Sequence, residues 1–284
     1  EKPVPGIGDN PKSGVTFDYY LAEDSDSLDL KLEVLQNNKV IRTISNMKPK
    51  DFKTWPGGPS RPQVLPSKKG YNRFTWDFRR EALPAVEKVF VFGSHDGSRV
   101  APGMYRLRLS LDDKQVETDV KILANPNIEA TVTDYQDQQV FLQEIEAMIT
   151  EIHESVNQMR SAKKQLQAYA KLLENNEKAD SLVAKGKSLL KRIDSWEAHL
   201  IQPKQKTFQD VINYNNQLNA ELAYLKEFAD TADPVITKGA KERLSDLKKD
   251  WDVYEKERDT IINTEMNVYN ELFKSLEIPA IIMH

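Results

Sequence analysis

Apolar and polar positions alternate with period two in several short stretches of residues 1–126, and beyond them the apolar positions recur at three-and-four spacing. Val15-Thr16-Phe17-Asp18-Tyr19-Tyr20-Leu21 and Leu28 to Leu35 each alternate, so each predicts a strand with one face turned inward. Asn37-Asn38 tolerates the positive φ of a tight turn and predicts a hairpin returning through Lys39 to Ile44. Tyr71 to Phe78 is a further strand, with Phe74, Trp76 and Phe78 on one side, and Lys88 to Phe92 is a candidate short strand. Met104 to Leu111 turns at Asp112-Asp113 and returns as Gln115 to Leu123. About seven short strands joined by hairpin turns predict an immunoglobulin-like or fibronectin-III-like β-sandwich. Asn46 to Gly70 reads as a long proline-rich loop.

Beyond residue 126 the spacing becomes helical. Phe141, Ile145, Met148, Ile152, Ser155, Met159, Ala162, Leu166, Tyr169 and Leu173 alternate by four and three, the seam of one long helix from about Asp134 to Glu174. Thr133 or Asp134 is its expected cap, and Asn175-Asn176 its end. A second helix carries Leu182, Leu189, Ile193, Trp196 and Leu200, stopping before Pro203. A third is expected from about Phe208 to Phe228. A fourth begins near Pro234 and continues through Leu244, Trp251, Ile261, Val268 and Leu272. Short connections favour neighbours that run antiparallel, so residues 127–284 read as an elongated antiparallel helical bundle of three to four helices, and residues 1–126 as the sandwich.

Composition reinforces the split. Nine of the 11 glycines and eleven of the 14 prolines lie at or before Pro126, where turns are needed and long helices are not. The net charge of −4 averages +3 over residues 1–126 and −7 over the remainder. A mildly acidic chain argues against a protein built to grip nucleic-acid phosphates, and no apolar run is long enough to span a membrane. The absence of cysteine removes disulfides, thiolate metal sites and cysteine nucleophiles, and no cofactor is expected.

Candidate chemistry is sparse. Trp55, in the segment Trp55-Pro56-Gly57-Gly58-Pro59, offers a ring for stacking on a sugar or partner, with Arg61 and Asn72 as hydrogen-bonding neighbours; the plainer alternative is an indole folded back as a plug over the sandwich or docked against a helix. Asp24, Asp26 and Asp29 present oxygens of the kind calcium takes, although a polar turn between strands accounts for them as well. Asp77, Glu81 and Glu87 are carboxylates of the type glycosidases pair across a cleft. Ser94-His95-Asp96-Gly97 holds triad residue types, but triads gather from separate loops, and a turn is the expectation. His153 and His199 read as ordinary residues of the helices.

Several segments resemble a known family. Asn10-Pro11-Lys12-Ser13-Gly14-Val15 followed by Tyr19-Tyr20-Leu21 resembles the opening of an Ig-like module similar to that of flagellar hook-capping proteins. Gly70-Tyr71-Asn72-Arg73-Phe74-Thr75-Trp76-Asp77-Phe78-Arg79 resembles that module's G-x-N-R-F-x-W-D-L-R strand, and Ala101-Pro102-Gly103-Met104-Tyr105-Arg106-Leu107 its P-G-x-Y strand. With the helical segment Gln209 to Leu218 and the ending Ile278-Pro279-Ala280-Ile281, the set is similar to the C-terminal part of secreted bacterial BNR-repeat, sortilin-like β-propeller proteins, often labelled glycosyl hydrolases. No repeated Asp-box of the propeller blades occurs here. The resemblance therefore implies a C-terminal fragment. It implies a non-catalytic accessory region, extracellular, cell-surface or periplasmic, whose partners are an upstream propeller domain of the same chain and a glycan or cell-surface protein. The start shows no basic-then-apolar signal segment, so Glu1 reads as a mature terminus or a fragment boundary. The alternatives are a carbohydrate-active enzyme with its site on the sandwich or its junction with the helices, and a coiled-coil partner-binding module.

Overall fold

A computed structural model describes residues 12–278; the N-terminal motif at Asn10-Pro11 and the ending from Pro279 lie outside the described residues. It contains two antiparallel sheets and a set of helices.

The first sheet pairs β1 (Val15–Leu21) with β4 (Gly70–Trp76), in a register that runs from Val15↔Trp76 to Leu21↔Gly70. The second has the order β3-β2-β5-β6, formed by β2 (Leu30–Gln36), β3 (Lys39–Ser45), β5 (Gly103–Leu111) and β6 (Lys114–Ile122). Asn37 and Asn38 turn the β2–β3 hairpin at φ 52° and 62°, the paired positive angles that a two-residue turn matching strand twist requires. Inward residues of both sheets meet in one core: Tyr19, Leu21, Phe74 and Trp76 from the first, Leu30, Leu32, Val34, Ile41, Tyr105 and Leu107 from the second. Among the described residues six strands form rather than about seven. Lys88 to Phe92 is not a strand, although Val89, Phe90 and Val91 are buried.

The helices are α1 (Val132–Leu172), α2 (Asp180–Leu200), α3 (Leu218–Ala229), α4 (Lys238–Thr260) and α5 (Asn267–Ser275), with a π-helical segment, Ile261–Met266, joining the last two. Thr131 caps α1, not Thr133 or Asp134. Its hydroxyl accepts from the Asp134 amide while the Asp134 carboxylate accepts from the Thr131 amide, a reciprocal capping box that holds this carboxyl below its ordinary pKa. The third helix starts ten residues later than the spacing predicts: Phe208–Ile212 is a separate 3-10 turn. Residues Gln209 to Leu218 are therefore not one helix.

Helix α1 buries two stripes. The predicted seam through Phe141, Ile145, Ile152 and Met159 is one, and Leu142, Ile149, His153 and Val156 form a second beside it. A helix contacted on two sides needs a face wider than a single heptad seam. Gly186 of α2 lets that helix approach Tyr269, whose ring would lie 3.2 Å from any Cβ there.

The chain divides into two compact units, and no single cut separates them. Among the described residues, one comprises 12–53, 60–82 and 96–129; the other comprises 54–59, 83–95 and 130–278. Leu83, Val86, Val89 and Val91 belong to the same buried cluster as the helices. Two pieces of the predicted β region are thus structural parts of the helical unit.

Candidate functional site

His153, Asn157 and Arg160 fall at i, i+4 and i+7 on α1, and so share one face. Each takes a main-chain carbonyl from the segment 83–95. His153 Nδ1 lies 2.7 Å from the Pro84 oxygen, Asn157 Nδ2 donates to Ala85 (3.0 Å), and Arg160 Nη1 donates to Glu87 (3.0 Å). From α3, Lys226, only 1% exposed, donates through Nζ to the Ser94 carbonyl at 3.1 Å. A segment in neither helix nor sheet has no ladder for its carbonyls, and burial demands other donors. The helix side chains supply them, while Val86, Val89 and Val91 fill the core between.

The arrangement fixes the protonation of His153. Nδ1 must carry the hydrogen to bond a carbonyl, which leaves Nε2 to accept from Asn219 Nδ2 at 3.2 Å. Burial drives the pKa down to about 4; the Pro84 carbonyl pulls it up, and the His95 ring, 5.8 Å away, adds to the depression. This is a neutral imidazole with both nitrogens occupied. Such a ring offers no free base or metal-ligating nitrogen.

Arg160 also holds α2. Its Nε and Nη2 both reach Glu197 Oε1, at 2.9 and 2.7 Å, and Lys163 approaches the other carboxylate oxygen at 3.6 Å. One guanidinium thereby joins α1, α2 and the 83–95 segment.

The segment 54–59 packs on 83–95. Trp55 Nε1 donates to the Val89 carbonyl (2.8 Å), and Val91 N donates to the Gly57 carbonyl (3.2 Å). Gly57 sits at φ 68° with the Phe90 ring 2.4 Å from where a Cβ would stand. Only glycine satisfies both the angle and the approach. Phe90 and Phe92 each meet Phe208 edge to face, at 5.3 and 5.4 Å.

The residues nominated from sequence are not brought together. Trp55 is half-buried in the helical unit, and its indole N–H donates to the Val89 carbonyl. Arg61 is exposed and lies, with Asn72, in the β unit. Asn72 is buried and closes the turn before β4. Its amide donates to the Lys68 and Gly70 carbonyls and its oxygen accepts from Lys68 N, so it is not displayed to a ligand. The three aspartates face separate partners: Asp24 accepts from Lys69 N, Asp26 from Ser67 and Lys68, and Asp29 pairs with Lys31. Among the described residues, no group of three acidic, histidine or cysteine side chains is placed to hold a metal ion. Buried Asn46 orders this loop instead, donating to Ser25 and Leu28 carbonyls and accepting from Leu30 N.

Among the other carboxylates, Glu81 accepts from Thr43 N and bonds Arg42, and Asp77 accepts from Arg79 N. In the Ser94 to Gly97 stretch, Ser94 and His95 contribute carbonyls to Lys226 and to Leu83 N, and the division between units falls between His95 and Asp96. The carbonyl-binding row on α1 is what sequence reasoning missed. Its signal was three polar residues at helical spacing beside the apolar seam.

Comparison of the chain with protein-family models, with curated proteins and with solved structures finds no match. Among the described residues no helix is long and apolar enough to cross a membrane.

Proposed function

We propose that this chain is a non-catalytic accessory region of a larger exported protein: an Ig-like sandwich joined to a helical bundle, supporting an upstream β-propeller and presenting a surface to a partner. The observation that carries the reading is the use made of the buried polar groups. His153, Asn157, Arg160 and Lys226 each place a donor on the backbone of 83–95, and Arg160 places two more on Glu197. An enzyme keeps its perturbed groups within reach of a substrate. Here the strongly perturbed histidine is enclosed by Pro84, Asn219 and His95.

The sandwich half of the reading is supported by strand order. A two-stranded β1-β4 sheet and a four-stranded β3-β2-β5-β6 sheet sharing one core support a sandwich, with two strands fewer on the first sheet and one more on the second than the seven-stranded immunoglobulin division. Tyr105 of β5 donates its hydroxyl to the Ala101 carbonyl at 2.7 Å, the back-bond that marks the tyrosine corner of such sandwiches, and Trp76 packs edge-on to it at 5.8 Å. The bundle half is supported by one buried cluster running through α1, α2, α3 and α4. Helix α1 alone, at 41 residues, is about 60 Å long and suits a spacer. The resemblance to the C-terminal part of BNR-repeat, sortilin-like proteins supports the placement after a propeller and outside the cytoplasm.

The test is direct. The region encoded upstream, produced separately, is expected to co-purify with this chain, and a panel of aryl glycosides is expected to remain unhydrolysed by the chain alone. Turnover by the purified chain, or an upstream region without propeller blades, overturns the reading.

A further inference from the structure

The outward face of the β1–β4 sheet carries a row of three cross-strand pairs that ends in two exposed tyrosines. Alternation turns Thr16, Asp18 and Tyr20 outward on β1, and the register places them opposite Thr75, Arg73 and Tyr71 on β4. Each cross-strand pair is matched in kind. Thr16 and Thr75 hydroxyls lie 2.9 Å apart; Arg73 grips Asp18 through two bonds of 2.8 and 2.9 Å; the Tyr20 and Tyr71 rings meet edge to face at 5.4 Å. The tyrosines are exposed to 61% and 87%, the larger value leaving a ring face open. From the tyrosines to the threonines the row spans four residue steps, about 13 Å of strand. At its threonine end it enters a cleft of about 650 Å³, which Thr16, Arg73 and Thr75 share with Gln63, Val64 and Asp77.

We propose that this face binds a neutral oligosaccharide. An open aromatic ring at one end supplies the stacking platform that the apolar face of a sugar ring requires, and a paired guanidinium–carboxylate beyond it supplies donors and acceptors held in one plane. Hydroxyls and an amide follow at the cleft, the few convergent polar groups that fix a ligand's orientation. Charge decides the class. Arg73 is neutralised by Asp18, and the cleft lining holds one lysine, Lys12, and one aspartate, Asp77, so the row carries no excess charge for a sulfated or uronic polymer. A protein partner is favoured less, because interfaces centre on a larger desolvated apolar patch than two tyrosine rings provide. The site stands in the β unit alone and does not depend on an upstream propeller.

Affinity gel electrophoresis of the intact chain through neutral polysaccharides, with oligosaccharides of a retarding polymer then titrated calorimetrically, tests it. At least one neutral glycan is expected to retard the chain, Tyr71→Ala to weaken binding about tenfold, and Tyr71→Trp to retain it. Tyr71 is exposed, so its replacement leaves the fold intact, and Tyr224→Ala in α3 is expected to bind as the parent does. Absence of retardation by every neutral glycan, retardation unchanged in Tyr71→Ala, or binding only to anionic polymers and abolished by high salt would each overturn the proposal.

Discussion

His153 Nδ1 lies 2.7 Å from the carbonyl oxygen of Pro84, a residue 69 positions earlier in the chain. That contact ties a segment from the β-rich half of the sequence to the longest helix. It also locks an imidazole in its neutral form, because donation to a carbonyl on one side and acceptance from Asn219 on the other leave no place for a second proton.

Stability is therefore expected to depend on pH in a defined window. His153 has a folded pKa of about 4 against 6.5 in the unfolded chain, so between those values the unfolded state binds more protons. Stability rises with pH across the window and levels off above 6.5. The loss on acidification to pH 4 is at most about 3 kcal/mol from this group. Denaturant unfolding at a series of pH values measures it, and His153→Gln is expected to flatten the profile between pH 4 and 6.5.

Replacing Arg160 by alanine removes three bonds at once, to Glu87 and twice to Glu197, and leaves the nearly buried Glu197 carboxylate with Lys163 at 3.6 Å as its remaining cation. A loss of about 2–3 kcal/mol is expected in chemical unfolding. Arg160→Lys should recover less than half of it, since an ammonium cannot span both partners as the planar fork does.

Gly57→Ala is expected to destabilise by about 2 kcal/mol, combining a left-handed backbone angle with a clash at the Phe90 ring. The measurement is the shift in unfolding midpoint. Trp55 fluorescence should report the same change locally, since its indole bonds Val89 in the same layer.

Much of the fold was legible because one-sided burial writes a period into the sequence. The Leu28–Leu35 alternation, the Asn37-Asn38 turn and the α1 seam each carry that period, and their positions agree with the structure to within a few residues. Lys88 to Phe92 shows where the logic stops. Apolar residues there signal burial, but burial against helices and burial in a sheet leave the same short run. Phe208 misled for a related reason: its ring packs on Phe90 and Phe92 from a 3-10 turn, not from a helix face. Among the candidates, Asn72 drew notice as a surface donor, yet a single sequence does not reveal that its amide is consumed by the turn at Lys68 and Gly70. The paired tyrosines of β1 and β4 were visible only as aromatics on the polar face of their strands, and the register is what sets them side by side.

The central claim is that residues 54–59 and 83–95 are built into the helical unit. A protease site placed in the exposed stretch 124–127 and cut in the folded protein tests it most directly. The two pieces are expected to co-elute in native buffer and to separate only in denaturant, because 83–95 remains held by His153, Asn157, Arg160 and Lys226. Separation of the pieces in native buffer immediately after cleavage would contradict it.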